Sequence, residues 1–146
     1  MLYVGNSTDN GDLNTADLDE LTQEQLTSFD SRVTAGAPVS PAHILLGLSG
    51  GEVYRYNVNT GASELVLDLM ADITSLSHDS FTGTVYAGLS TLEIVEFDPF
   101  TGEVSTFGQM PGKGRVAVSP SGNLWFTPVK VAQAGVLTSW PLPDML

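Results

Sequence analysis

Two histidines are the side chains of this sequence best suited to acid–base or metal chemistry near neutral pH. The sequence has no histidine other than His43 and His78. Both are predicted near the end of the first strand of a repeated unit, in roughly equivalent positions. Asp79 follows His78, and a neighbouring carboxylate can fix an imidazole tautomer or share a cation. Because adjacent strand residues point to opposite faces, the pattern favours a packed His78 and an Asp79 that starts the turn HDSFTG (78–83).

Two tryptophans offer a second kind of binding chemistry. Trp125 and Trp140 carry large aromatic rings, which can stack on the apolar faces of sugars. Rings of this size more often fill a core, and core filling is the interpretation that the sequence favours. The two residues are therefore the candidates of a glycan-binding alternative.

Several other kinds of site are excluded or disfavoured. The chain has no cysteine, so it holds no disulfide, thiolate metal site or cysteine nucleophile. The acidic stretch DLNTADLDE (12–20) lacks the glycine and final glutamate of an EF-hand loop, and it predicts a solvated edge or loop. GLSGG (47–51) lies between two predicted strands, which indicates a β-turn instead of a nucleophile elbow. The sequence therefore predicts no catalytic residue, no metal site and no cofactor.

The charge balance limits the partners of the chain. Seventeen acidic residues against five basic ones give a formal net charge of −12. Nucleic-acid binding requires clustered Lys and Arg, and anionic membrane surfaces repel such a chain, so neither partner is predicted. There is no apolar run of membrane-spanning length and no secretory signal. If the chain is full length, a cytoplasmic or virion-associated protein is expected.

A repeat of about 41 residues organises the sequence. The glycines of YVGNS, LLGLS and YAGLS are Gly5, Gly47 and Gly88, which lie 42 and 41 residues apart. A Thr-Gly pair follows at 60–61 and again at 101–102. Landmarks that recur in one order at one spacing indicate a repeated structural unit.

Each unit is predicted to contain four short strands joined by turns. Compact apolar runs such as TVYAGLS (84–90) indicate buried strands, and alternating runs such as EVYRYNV (52–58) indicate half-buried ones. The segments NVNTG and DPFTG combine Asn or Asp with a following Gly, which is typical of turns. Residues 15–29 also fit a helical spacing, but their alignment with the later units favours strand–turn–strand.

The units resemble the blades of the NHL, YVTN and SMP-30-like β-propellers. VYAGLSTLEIVEFDPFTGEV (85–104) and VAVSPSGNLWFT (116–127) carry this resemblance best, the former with a hydrophobic-Tyr-x-Gly pattern before Asp-x-x-Thr-Gly. The resemblance implies an all-β fold, a β-propeller-type repeat array of four-stranded blades. These families include lyases, lactonases and pure interaction modules, so the fold does not choose the activity.

The units divide the single predicted domain, 1–146, into about three and a half blades. With strands named A to D outward from the axis, residues 1–31 supply B, C and D. Residues 32–69 and 70–109 supply complete units, and 110–146 supply A, B and C. The partial units overlap in B and C and cannot merge into one blade, so open edges are expected. A second copy, a different subunit or a compact four-bladed ring are three ways to cover them.

The sequence favours a non-catalytic structural or interaction module that forms part of a larger assembly. The open blade edges predict a homo-oligomer or another protein subunit, and a virion or phage structural component is the specific setting expected. One alternative is an enzyme of the lyase or lactonase type, with a divalent cation near His43, His78 or Asp79. The other is a lectin that uses Trp125 and Trp140.

Overall fold

The structure is built from β-strands and the turns that connect them. The computed structural model describes residues 2–5, 11–17, 19–20, 22–129 and 138–142. These residues form fourteen strands in four antiparallel sheets of three, four, four and three strands. Within the same residues no helix is long and apolar enough to cross a membrane.

The strands follow the chain sheet by sheet, and strands that are consecutive in sequence are neighbours in space. The first sheet contains β1 (Leu2–Gly5), β2 (Gly11–Asp17) and β3 (Thr22–Phe29). The second contains β4 (Val33–Ser40), β5 (His43–Leu48), β6 (Glu52–Asn57) and β7 (Ser63–Asp68). The third contains β8 (Ile73–His78), β9 (Val85–Leu89), β10 (Glu93–Phe97) and β11 (Val104–Gln109). The fourth contains β12 (Gly114–Val118), β13 (Asn123–Pro128) and β14 (Thr138–Pro141).

This architecture confirms the predicted all-β, propeller-type array of about three and a half blades. The ambiguous stretch 15–29 contributes to β2 and β3. These two strands pair from Gly11 opposite Phe29 to Asp17 opposite Thr22. Pairing with a neighbouring strand therefore outweighs the helix-like spacing of the apolar residues in this stretch.

Each apolar cluster of the core joins two successive sheets. Between the second and third sheets it includes Leu45, Val53, Ile73, Val85 and Phe97, all 2% exposed or less. The cluster between the first and second sheets contains Leu13, Ile44, Leu46 and Tyr56, and that between the third and fourth contains Tyr86, Ile94, Leu124 and Phe126. A sheet in this array therefore needs its neighbours to bury its two faces.

Burial differs among the strands of one sheet. All five residues of β9 are buried, whereas the outer strands β7 and β11 each begin with three exposed residues. The strand β9 lies between two strands of its own sheet, and other sheets cover its faces. It has no side that faces solvent, which explains why its sequence is an uninterrupted apolar run.

The glycine that marks the repeat is required by close packing. At Gly88 a β-carbon would lie 2.9 Å from Ser75 Oγ and 3.0 Å from Thr74 Oγ1, both on the paired strand β8. At Gly47 it would lie 3.0 Å from the side chain of Ile73, in the next sheet. A larger residue at either position would force these side chains of β8 to shift, because the interior is already close-packed.

The first strands of the last three sheets, β4, β8 and β12, lie side by side at the centre of the array. The free edge of β12 is bound by hydroxyl groups of β8. Ser75 Oγ accepts a hydrogen bond from Val116 N, and Ser77 Oγ accepts one from Val118 N, both at 2.9 Å. These side-chain bonds satisfy backbone donors that no strand pairs, so they tie two blades together.

Replacing Ser75 with Ala is expected to lower the free energy of unfolding by about 1–2 kcal/mol, because the buried Val116 N loses its acceptor. Chemical denaturation at pH 7 measures this loss. The matched control is Ser80→Ala at an exposed turn, which should change the free energy by less than about 0.5 kcal/mol. Equal stabilities of the two variants would contradict the proposed role of the Ser75 hydroxyl.

Candidate functional site

Two turns with the sequence Asp-x-Phe-Thr-Gly lie at one end of the third sheet. They are residues 79–83, between β8 and β9, and residues 98–102, between β10 and β11. In each turn the aspartate Oδ1 accepts a hydrogen bond from the phenylalanine N, at 2.9 Å for Asp79 and 2.8 Å for Asp98. The final glycine donates to the carbonyl of the same aspartate, with φ near 80°, which glycine adopts without strain. The turns lie two strand spacings, or about 10 Å, apart, and together they are called the twin-turn surface.

The phenylalanines of the twin-turn surface are exposed to solvent. Phe81 is 59% exposed and Phe100 is 53% exposed. Arg55 of the second sheet holds the second ring: its guanidinium carbon lies 4.9 Å from the ring centre. The Nη1 of Arg55 donates to the Pro99 carbonyl at 2.9 Å, and its Nη2 is paired with Glu64. One ring is thus fixed by a neighbouring sheet, and both are carried on hydrogen-bonded turns.

A third turn has the same hydrogen-bond pattern but no phenylalanine. Asn57 Oδ1 accepts hydrogen bonds from the backbone N of Asn59 at 2.9 Å and of Thr60 at 3.1 Å. Gly61 closes the turn by donating to the Asn57 carbonyl, with φ of 76°. Asn59 therefore occupies the place of the phenylalanine, and the turn forms without an aromatic side chain.

Neither phenylalanine is among the residues that sequence patterns single out for chemistry. The signal is nevertheless present, because Asp-x-Phe-Thr-Gly occurs at both 79–83 and 98–102, while the corresponding turn 57–61 has the sequence NVNTG. An apolar residue in a turn indicates a binding surface only when its side chain is known to be exposed. Exposure is a property of the folded chain and is not shown by the sequence.

The predicted pair of His78 and Asp79 lies at the twin-turn surface. Asp79 is 4% exposed, and its carboxylate accepts the N–H of Phe81, so the turn itself accounts for its burial. Burial lowers the pKa of His78, and the charge of Asp79 opposes this by a smaller amount. A lowered pKa favours the neutral imidazole at neutral pH. The pairing of these residues around a ligand stays a prediction.

His43 lies in a different place from that predicted. It is the first residue of β5, and not near the end of a first strand, because β4 ends at Ser40 and a two-residue turn follows. The expected equivalence with His78, the last residue of β8, is therefore wrong. The Nδ1 of His43 is hydrogen-bonded to Ser40 Oγ at 2.8 Å, and its ring meets Phe100 edge to face at 5.4 Å. Across the described residues, no group of three or more His, Asp or Glu is placed to hold a metal ion.

Trp125 and Trp140 lie on opposite faces of the last sheet. Trp140 pairs with Leu124 across β13 and β14 and shares its face, while the next residue, Trp125, points the other way. The ring of Trp140 lies 6.4 Å from that of Phe107 in the third sheet, nearly perpendicular to it. The structure does not bring the two tryptophans together, and a sugar site at either of them stays a prediction.

Tyr86 is a titratable group that packs between the third and fourth sheets. It is 1% exposed, and its ring meets Phe107 edge to face at 5.2 Å. Burial raises the pKa of Tyr86 to about 12, with smaller contributions from the charges of Glu96 and Asp79. The phenol therefore stays protonated at physiological pH and is part of the core.

Comparison with solved structures supports the propeller-type fold. A chain of a mitotic checkpoint complex matches with a TM-score of 0.70 at 14% identity, over 97% of this chain and 45% of that chain. TolB from Acinetobacter baumannii matches with a TM-score of 0.70 at 16% identity, over 94% and 37%. A protein of unknown function from Bacteroides thetaiotaomicron matches with a TM-score of 0.75 at 14% identity, over 95% and 38%. At these identities the likeness shows the fold alone.

The chain spans less than half the length of each of these structures. No protein-family model matches the sequence, and no curated protein matches it either. The function therefore has to be argued from the surfaces that the fold creates.

The carboxylate of Asp98 makes its turn sensitive to pH. Backbone hydrogen bonds from Thr101 and Phe100 lower the pKa of Asp98. Its stabilising effect is therefore complete above the unfolded pKa of about 3.9, and it is lost as pH falls through the lowered folded value. Asp98→Asn keeps an acceptor oxygen, as Asn57 does in the second sheet, and should remove this pH dependence with little loss of stability at pH 7.

Asp98→Ala removes the acceptor and is expected to lower the free energy of unfolding by about 1 kcal/mol at pH 7. Urea denaturation of the wild type and both variants at pH 7 and at about pH 3 gives the comparison. If the Ala and Asn variants were equally destabilised at pH 7, the side-chain hydrogen bonds would not be what holds the turn.

Proposed function

We propose that the chain is a non-catalytic protein-interaction module and that its twin-turn surface binds a protein partner. The observation that carries this proposal is the contrast between two exposed phenylalanines and Asn59, which fills the same place in a turn with the same hydrogen-bond pattern. The turn does not need the ring in order to form, and the part of each ring that stays exposed to water brings no gain in stability. Contact with a partner accounts for both rings at once.

Both rings stand on turns that are ordered before binding, and the ring of Phe100 is itself held by a neighbouring side chain. The side-chain hydrogen bonds of Asp79 and Asp98 fix the backbone at Phe81 and Phe100, and Arg55 lies against the second ring. An anchor that is already ordered loses little conformational entropy on binding. Covering each ring would contribute about 1.5–3 kcal/mol at most, and two rings are enough for a specific contact.

The charges around the anchors define the chemistry of the partner. Asp98 and Glu103 are exposed beside Phe100, and Glu64 lies next to Arg55. A partner surface with an apolar pocket and a basic rim would complement this arrangement. The overall charge of −12 favours a basic partner in the same way, by attracting it from a distance.

The charges of the end sheets support contact with a further protein surface. In the described part of the chain β1 is hydrogen-bonded to β2 and also contacts β4 of the second sheet. Residues 1–31 carry seven acidic side chains and no basic one, whereas residues 110–146 carry three basic side chains and one acidic one. This complementarity favours contact between the first sheet of one copy and the last sheet of another. A different subunit is a second candidate partner. The closer likeness to NHL, YVTN or SMP-30-like propellers and the virion setting stay predictions.

Light scattering of the purified chain over a range of concentrations is expected to give a mass above the 15.4 kDa of one copy. The association should weaken in 1 M salt, because salt screens the attraction between the acidic and basic sheets. A mass of one copy at every concentration and salt level would contradict self-association and leave a different subunit as the partner.

The twin-turn surface is tested with Phe81→Asn and Phe100→Asn, which copy the residue that the chain itself uses in the turn 57–61. A displayed random-peptide library, selected on the wild-type chain, is expected to yield peptides that bind each variant at least about tenfold more weakly. Leu65→Asn is the matched control, since Leu65 is 55% exposed on the outer strand β7. Thermal unfolding shows whether each variant is folded.

Two results would contradict the proposed surface. Peptides that bind Phe81→Asn and Phe100→Asn as tightly as they bind the wild type would place the binding surface elsewhere. A loss of binding in Leu65→Asn equal to that in the two turn variants would show that exposed apolar area, and not these anchors, is what the peptides recognise.

A further inference from the structure

An open pocket of about 520 Å³ lies at the opposite end of the sheets. It lies where β4, β8 and β12 begin, so three successive sheets contribute to its walls. The turns of the twin-turn surface follow the other ends of the strands, and the two surfaces are therefore separated by the length of a strand. A volume of this size is typical of pockets that take small molecules.

Basic residues are concentrated at this pocket. Arg32, Lys113 and Arg115 line it, and they are three of only five Lys and Arg residues in a chain with a net charge of −12. All three side chains are exposed. In the part of the chain that the structure describes, none of them forms an ion pair with a carboxylate. The pocket is therefore a local site of positive charge on an acidic protein.

One carboxylate lines the same pocket, but it is already bonded to the fold. Asp72 Oδ1 accepts a hydrogen bond from Gly50 N at 2.7 Å and lies 3.5 Å from Ser49 Oγ. Both partners belong to the turn between β5 and β6. Asp72 thus joins the third sheet to a turn of the second. Its hydrogen bonds come from neutral donors and leave its charge in place, so the pocket carries three cations against one carboxylate.

The repeat shows that the fold does not demand these cations. Arg32, Asp72 and Lys113 each precede the first strand of a sheet. The carbonyl of each accepts the same backbone hydrogen bond, from Ser49, Ser90 and Val129 respectively. An acidic residue fills this position in one sheet and basic residues fill it in the other two, so the backbone role is independent of charge.

The position two residues after the one that precedes each first strand also does not require a charged residue. Thr34 Oγ1 donates to the Gly47 carbonyl at 3.2 Å, and Thr74 Oγ1 donates to the Gly114 carbonyl at 3.0 Å. Arg115 takes this place in the fourth sheet. In the second and third sheets a threonine at this position forms a hydrogen bond to a neighbouring strand. In the fourth sheet the same position places a guanidinium group at the pocket.

From this arrangement we infer that the pocket binds a small multivalent anion that carries carboxylate or phosphate groups. Arg32 stands on the second sheet, and Lys113 and Arg115 stand on the fourth, so the positive charge is divided between two sides of the pocket. An anion with two or more negative groups can contact both sides at once. Guanidinium groups bind carboxylate and phosphate oxygens through paired hydrogen bonds. Contact with both sides of the pocket favours a multivalent anion over a monovalent one.

The inference is tested on the whole chain with three probes: citrate, inorganic phosphate and a peptide of ten glutamates. Isothermal titration at fixed ionic strength, with acetate as the monovalent comparison, is expected to show saturable binding of at least one probe. Tight binding of citrate or phosphate identifies a free anion as the ligand. Preferential binding of the peptide identifies an acidic protein segment that supplies the same carboxylates.

Arg115→Gln and Arg32→Gln should each raise the dissociation constant about tenfold, since each removes one charged group from the pocket. Arg55→Gln is the matched control: it removes the same charge at the other end of the sheets and should change the dissociation constant less than about twofold. Thermal unfolding establishes that each variant is folded. The inference is overturned if no probe saturates, if acetate binds as well as the probes, or if Arg55→Gln weakens binding as much as the pocket variants.

Discussion

In the described part of the chain, each sheet buries its faces against the sheets beside it, and the other features of the structure depend on that packing. Apolar clusters join the first sheet to the second, the second to the third and the third to the fourth. Side chains of β8 pack closely against Gly47 of the second sheet and Gly88 of the third, and Ser75 binds a backbone donor of the next sheet. Stability in such an array comes from contacts between neighbours and not from one common centre.

The packing fixes where strands end, and the turns are then held by their own chemistry. A side-chain oxygen of Asn57, Asp79 or Asp98 receives a backbone N–H, and a glycine closes each turn. These bonds leave the residue at the tip free to vary, since it makes no contact that the turn requires. The exposed rings of Phe81 and Phe100 occupy this position, and the ring of Phe100 in addition contacts Arg55 and His43 of the second sheet.

Repetition makes the differences between units informative at both ends of the sheets. At some positions the next unit has a side chain of a different chemical class. The shared backbone therefore does not need the original side chain at that position. Asn59 shows this for the phenylalanines, and Asp72 shows it for Arg32 and Lys113. The result is a protein with an aromatic surface at one end of its sheets and a basic pocket at the other, in a chain whose overall charge is strongly negative.

The sequence by itself determined the all-β class, the order of the strands and the position of the turns. These depend on local chemistry: apolar runs, period-two alternation and Asp or Asn followed by Gly are all read within a few residues. Only the tertiary structure decided which side chains share a surface. It placed His43 on β5, separated Trp125 from Trp140 and brought Arg32 close to Arg115 around one pocket. Residues one or two repeats apart meet only because the sheets pack, and no local pattern encodes the distance between them.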